Sequence, residues 1–177
     1  MIMKKILILG LLLIISSSCK PKVVEKIIEV DREVGYLLTP EKTFTASSGD
    51  NSIVELWDEY IKAHNNQDLE SISEMNSDTI QIYGPHGEII QGNDDHISFL
   101  KVWFEDAAPE WKTFFSFPMK VNAMESQKDG QWVVSGAVVK MNVDGAEIDV
   151  TQLYDVYSEN GKIMKFYVYE RANPSIE

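Results

Sequence analysis

Residues 128–171 read KDGQWVVSGAVVKMNVDGAEIDVTQLYDVYSENGKIMKFYVYER. Three dipeptides punctuate this stretch: Asp129-Gly130, Asp144-Gly145 and Asn160-Gly161. Two-residue hairpins of type I′ need positive φ at both central positions, and Asp-Gly and Asn-Gly supply it at least cost. Each dipeptide is flanked by long runs rich in β-branched and aromatic residues. Strands are therefore expected over 114–127, 131–142, 146–158 and 162–171. Successive hairpins join strands that run antiparallel, so the C-terminal half is expected to be an antiparallel meander.

The residues upstream have a different period. Ser52 and Glu55 have the spacing of a capping box. Behind them Ile53, Leu56, Trp57, Tyr60, Ile61 and His64 recur at helical intervals, which predicts an amphipathic helix over about 53–65. Asn65-Asn66-Gln67-Asp68 interrupts it, and Asp68 suits the N-cap of a short helix reaching Met75. Residues 79–83, the turn Gly84-Pro85-His86-Gly87 and residues 88–91 read as a small hairpin. Asp94 or Asp95 is expected to cap a third helix over about 95–107. Helices gathered at one end and strands at the other define the α+β class.

The chain has 177 residues, 16 Lys plus Arg, 28 Asp plus Glu and one cysteine, with a formal net charge of −12. This length suits one domain with an extension. The acidity argues against a nucleic-acid partner, because phosphate binding needs a basic face. A single cysteine excludes an intrachain disulfide and a thiolate zinc cluster.

That cysteine is Cys19. It follows Lys4-Lys5, an apolar run from Ile6 to Ile15, and Ser16-Ser17-Ser18. The run is too short to span a bilayer and has the build of a secretory signal. The segment resembles a bacterial lipoprotein signal, although Ser16 stands where Leu is usual. The resemblance implies cleavage before Cys19, lipidation of that residue and membrane attachment through the lipid. The other reading is an ordinary secretory signal with an incidental cysteine. Loss of Lys4 and Lys5 takes the formal charge from −12 to −14 over 19–177, so lipid rather than charge would hold the protein at an anionic surface. The expected organisation is a signal peptide over 1–18, a lipidated N-terminus and tether over 19–50, a folded domain over 51–173 and a tail over 174–177. Val23, Ile27, Val30, Val34 and Leu37 make a heptad seam of only about two repeats, and Thr39 to Asp50 reads as linker. The expected location is the bacterial cell envelope, in the outer membrane facing the periplasm.

The order of elements, with Tyr60 to Leu69, Tyr83 to Glu88 followed by Gln91-Gly92, and Asn160 to Ile163, resembles the nuclear transport factor 2-like fold, which includes the SnoaL-like polyketide cyclases and ketosteroid isomerases. The resemblance covers about 51–172. It implies a curved antiparallel sheet wrapped around three N-terminal helices as a cone with a pocket inside. It specifies fold rather than chemistry.

A ketosteroid-isomerase mechanism needs a carboxylate base and an oxyanion site of Tyr and protonated Asp. The resemblance puts Tyr60 at the Tyr position and Asp155 near the Asp position. At the base position stands Tyr83 or Gly84, and an ordinary Tyr pKa near 10 does not suit a neutral-pH base. Isomerase activity is therefore not expected. His64, one helical turn after Tyr60, either shares a cavity-lining face with it or sits at the exposed helix end. His86 is expected to be exposed. His96, beside Asp94 and Asp95, is read as part of a helix start rather than a metal site, and neither metal nor cofactor is expected. By the resemblance, Met164, Phe166, Val168 and Glu170 face the cavity, whereas Ile163, Lys165, Tyr167 and Tyr169 face outwards and offer a homodimer surface. Glu170 is either a polar group at the cavity rim or a solvated strand end. The four tryptophans are expected in the core and at helix–sheet seams.

Two functions stay open. One is binding of a small, largely apolar ligand by Trp57, Tyr60, His64, Tyr83, Phe166, Val168 and Glu170. The other is an enzyme of cyclase, dehydratase or isomerase type using Tyr60, His64 and Asp155.

Overall fold

A computed structural model describes residues 32–122, 124 and 130–173. Its order is β1 (Glu33–Leu38), β2 (Thr43–Ser48), α1 (Asn51–Asn65), α2 (Leu69–Met75), β3 (Asn76–Tyr83), β4 (Ile89–Gln91), α3 (Asn93–Ala107), β5 (Glu110–Val121), β6 (Gly130–Val143), β7 (Ala146–Glu159) and β8 (Lys162–Ala172). The strands form one open, curved sheet in the order β1-β2-β5-β6-β7-β8-β3-β4. Every pairing is antiparallel except β3 with β8. That parallel pair follows from returning the chain to the early hairpin after the meander.

Two of the three Asp-Gly and Asn-Gly turns lie wholly within the described residues and have the expected geometry. Asp144 and Gly145 have φ of 52° and 82°, and Asn160 and Gly161 have 53° and 72°. Asp129, of the third turn, lies outside the described residues.

The helix starts agree with expectation at α2 and differ at α1 and α3. The N-cap of α1 is Asp50, whose Oδ1 accepts from the Ser52 backbone N–H at 2.7 Å, so Ser52 lies inside the helix. Asp68 caps α2 as expected, accepting from both the backbone N–H and the hydroxyl of Ser71. Gly92 occupies the N-cap of α3 with φ 96°, and Asp94 and Asp95 lie in its first turn instead. There they face the positive end of the helix dipole.

The sheet also begins earlier than position 51. Val34 and Leu37 belong to β1 rather than a heptad seam, and residues 43–48, read as linker, form β2. Ala46, Ser47 and Ser48 pair with Val121, Lys120 and Met119 of β5. The alternating apolar residues of this stretch satisfy a strand period as well as a helical one, and the free edge of β5 decides between them. Cys19 and the rest of the expected signal lie outside the described residues.

The core lies between the helices and the concave face of the sheet. Ile72, Ile80, Val133, Val139, Val156 and Ile163 are fully buried there. Ile163 is thus inside rather than on the outer face expected for it. A bulge opposite Tyr157 and Ser158 shifts the β7–β8 register, and an extra residue reverses the alternation on one side of it.

Candidate functional site

A cavity of about 340 Å³ opens into the cone. Helix α1 brings Trp57, Tyr60 and His64 to it, α3 brings His96 and Trp103, and β8 brings Phe166, Val168 and Glu170. Helix α1 is aimed by both ends. Asp50 caps its start. At its end Asn65 clamps the backbone of Trp111, with Nδ2 donating to the carbonyl at 2.9 Å and Oδ1 accepting from the N–H at 2.8 Å. This clamp fixes the helix against β5, and thereby Tyr60 and His64 against the cavity.

The aromatic wall is continuous. The Trp57 ring lies 5.4 Å from Tyr60, 5.2 Å from Tyr154 and 5.8 Å from Phe166, measured between centroids. Its indole N–H is, among the described residues, the buried side-chain polar group without a hydrogen-bond partner.

A polar cluster sits beneath this wall. The Tyr60 hydroxyl donates to Asn76 Oδ1 at 2.8 Å. Asn76 Nδ2 donates to Asn93 Oδ1 at 2.9 Å and to His96 Nδ1 at 3.1 Å. His96 Nδ1 is therefore an acceptor, which leaves the proton of the neutral ring on Nε2. His64 Nδ1 lies 2.8 Å from the Tyr60 carbonyl, which can only accept, so its neutral ring carries the proton on Nδ1 and a lone pair on Nε2. The two imidazoles stand 6.1 Å apart between centroids. Burial pushes His64 down to about 4, against a smaller opposing effect of its bond to Tyr60. Burial, with His64 nearby, takes His96 down to about 3. Both rings are thus neutral at pH 7. Burial likewise holds the Tyr60 hydroxyl well above its ordinary range.

Along the sheet wall the buried Trp111 indole donates to the Tyr154 hydroxyl at 2.8 Å, Tyr154 donates to Gln152 Oε1, and Gln152 Nε2 donates to Glu170 Oε2 at 2.7 Å. Glu170 Oε1 lies 3.8 Å from His86 Nε2, on an exposed turn. Glu170 is thus a rim group inside the cavity and not a frayed strand end.

Two expected site residues lie elsewhere. Tyr83 does not line the cavity: its neighbour Ile82 does, and Tyr83 stacks on Tyr167 at 4.7 Å on the convex face. Asp155 also faces away, because Gln152 and Tyr154 point inwards and the alternation of β7 sends Asp155 outwards, opposite Tyr167. The alternation of short strands leaves the face ambiguous until the sheet is assembled, and this accounts for both. Trp132 is on that convex side too, against Tyr157 at 5.2 Å. His96, Gln152 and Tyr154 are site residues that sequence reasoning did not identify. His96 had a usable signal, since it lies four residues before Leu100 and eight before Phe104, on the buried stripe of α3.

No protein-family profile and no curated protein sequence matches the chain. Solved structures do resemble it. An LEH-like epoxide hydrolase of M. tuberculosis superposes with a TM-score of 0.57 at 12% identity, over 68% of this chain and 84% of that one. A candidate SnoaL-like polyketide cyclase from Jannaschia sp. CCS1 gives 0.55 at 16% identity, over 68% and 86%. An NTF2-like protein from Burkholderia pseudomallei gives 0.51 at 17%, over 70% and 92%. The fold is therefore nuclear transport factor 2-like, of the SnoaL-like kind.

Proposed function

We propose that this chain is a lipid-anchored domain that binds a small, largely apolar ligand in the cone cavity and has no isomerase activity. The observation that carries this reading is the cavity itself. Its volume and aromatic lining, with a few convergent polar groups, have the composition of small-molecule sites. The polar cluster supports binding over turnover, because the Tyr60 hydroxyl is engaged by Asn76 and burial makes both histidines weak bases. At the end of β3 the cavity is lined by Gly84, and the Glu88 carboxylate beside it accepts from the His86 backbone N–H. Native mass spectrometry of the purified chain after exposure to cell extract should recover a bound small molecule. Recovery of ligand-free protein only, from every extract tried, counts against the reading.

A second reading as a small-molecule enzyme draws on Tyr60 and His64, which do converge, with the His64 Nε2 lone pair and the His96 N–H both at the cavity floor. It proceeds without Asp155. Turnover of a Δ5-ketosteroid, or of another enolisable ketone, that is abolished by His64→Gln would favour it.

In this reading lipid on Cys19 holds the domain in the bacterial cell envelope, in the outer membrane facing the periplasm. Several acyl chains on one residue give stable attachment where one chain is marginal. The Cys19→Ser chain is expected to leave the membrane fraction, and retention there would refute the anchor. A homodimer through the convex sheet face completes the proposal.

A further inference from the structure

We propose that the ligand of this cavity is a hydrophobic amine, whose protonated nitrogen is held by the Glu170 carboxylate at the rim. The inference deepens the binding reading above and rests on it.

The direction of one hydrogen-bond chain carries the argument. The Trp111 indole nitrogen can only donate, so at 2.8 Å the Tyr154 oxygen accepts from it. The Tyr154 hydrogen is then free to point at Gln152 Oε1, and it does. With its carbonyl oxygen engaged, the Gln152 amide turns its nitrogen to Glu170 Oε2 at 2.7 Å. A donor-only group thus orients each successive hydrogen, and the chain ends on a carboxylate that can only accept. This chain holds Glu170 in place through Oε2 and leaves Oε1 on the side of the exposed His86 turn. The Glu170 side chain is only 17% exposed, and its neighbour across the mouth is His86, 3.8 Å away on the exposed turn.

The rest of the lining gives the sign of the charge. Among the described residues that line the cavity none is Lys or Arg, and the formal negative charges are Glu88 and Glu170. Glu88 is solvent-exposed, so its charge is the better screened of the two, and its Oε2 accepts from the His86 backbone N–H at 2.9 Å. Burial keeps His64 and His96 neutral at the floor. An anionic ligand would meet no Lys or Arg in the walls and two carboxylates at the entrance. A cation meets an oriented acceptor and aromatic faces such as Trp103 and Phe99, which favour positive charge. The apolar interior fits the body of the molecule and the rim its nitrogen.

Three probes of matched shape separate the possibilities: 4-phenylbutylamine, 4-phenylbutanol and 4-phenylbutanoate. Binding is measured by isothermal titration calorimetry on the full chain in zwitterionic phospholipid nanodiscs, with empty nanodiscs as blank. The amine is expected to bind at least about tenfold more tightly than the alcohol, as a charge-assisted bond in a partly desolvated site implies, and the carboxylate more weakly than either. Glu170→Gln, with an unchanged circular dichroism spectrum, should abolish the preference for the amine over the alcohol. Equal affinity for amine and alcohol in the wild-type chain overturns the inference and leaves the cavity a binding site. Persistence of the preference in Glu170→Gln also overturns it. Absence of binding by all three probes overturns the binding reading itself.

Discussion

His64 and His96 contribute to the pH dependence of stability between neutral and mildly acidic pH. Both rings are buried, and their folded values of about 4 and about 3 lie below the ordinary value of 6.5. Below pH 6.5 the unfolded chain takes up protons that the folded chain refuses, so protonation favours unfolding. The stabilisation is complete above about 6.5 and declines as pH falls towards 4. Urea midpoints measured between pH 8 and pH 5 should fall steadily below 6.5, and the His64→Gln, His96→Gln double variant should flatten that decline. Tyr60→Phe makes a related prediction. It removes the donor to Asn76 Oδ1 and leaves that buried oxygen short of a partner, at a cost of about 1–3 kcal/mol in chemical denaturation. The residue scale is also where sequence reading was most uneven. The spacing of four residues puts Tyr60 and His64 on one helical face, but it left open whether His64 lines the cavity or ends the helix in solvent. Tyr83 and Asp155 were not legible, because the strand period of two assigns a face only when the partner strands are known. For Glu170 the sequence leaves rim group and solvated strand end both open, because the chain that orients it joins residues from β5, β7 and β8, whose proximity no local pattern states.

At the scale of elements, α1 shows how the site is aimed. Its amphipathic stripe dictates which face packs inwards, whereas Asn65 dictates where along β5 it packs. Asn65→Leu removes both bonds to the Trp111 backbone. The expected loss is about 2 kcal/mol in a denaturation experiment, with weaker ligand binding, since each such bond contributes about 1 kcal/mol and a stranded backbone group costs more. The turns behave more simply. Gly145 has φ 82°, and no neighbouring atom comes within 4 Å of the place a Cβ would take. Gly145→Ala should therefore cost only backbone strain, on the order of 1 kcal/mol in the same denaturation experiment, and should leave the cavity unaltered. Asp-Gly and Asn-Gly announced these hairpins because the requirement for positive φ is local. The helix caps were read less well. Asp50 rather than Ser52 caps α1, and Gly92 rather than an aspartate caps α3, because where a helix begins depends on the entry path of the preceding chain.

For the molecule as a whole, the convex face of the sheet is the surface most open to a partner. Phe114, Phe117, Leu153 and Tyr169 are each more than 40% exposed on that side. Gly136 lets the rings of Phe114 and Phe115 lie close against the sheet, for a Cβ there would meet Phe115 Cε1 at 2.5 Å. Under the proposed homodimer, Phe117→Asp should convert a dimer to a monomer in light-scattering chromatography without changing ligand affinity; a wild-type chain that is already monomeric would exclude the dimer. The β1–β2 hairpin belongs to this scale too. By itself the stretch 33–48 reads equally as stalk, and it becomes sheet because β5 offers it an unpaired edge. The sequence by itself determined the α+β class, the antiparallel meander and the amphipathic α1, since these follow from local period and turn chemistry, whereas the cone was implied only by the family resemblance. Only the tertiary structure decided which strand faces line the cavity, that β1 and β2 join the sheet, that His96 lies beside His64, and that Trp111, Tyr154 and Gln152 lead to Glu170. Each of these depends on register and on contacts between residues far apart in the chain, and neither is encoded in any single segment.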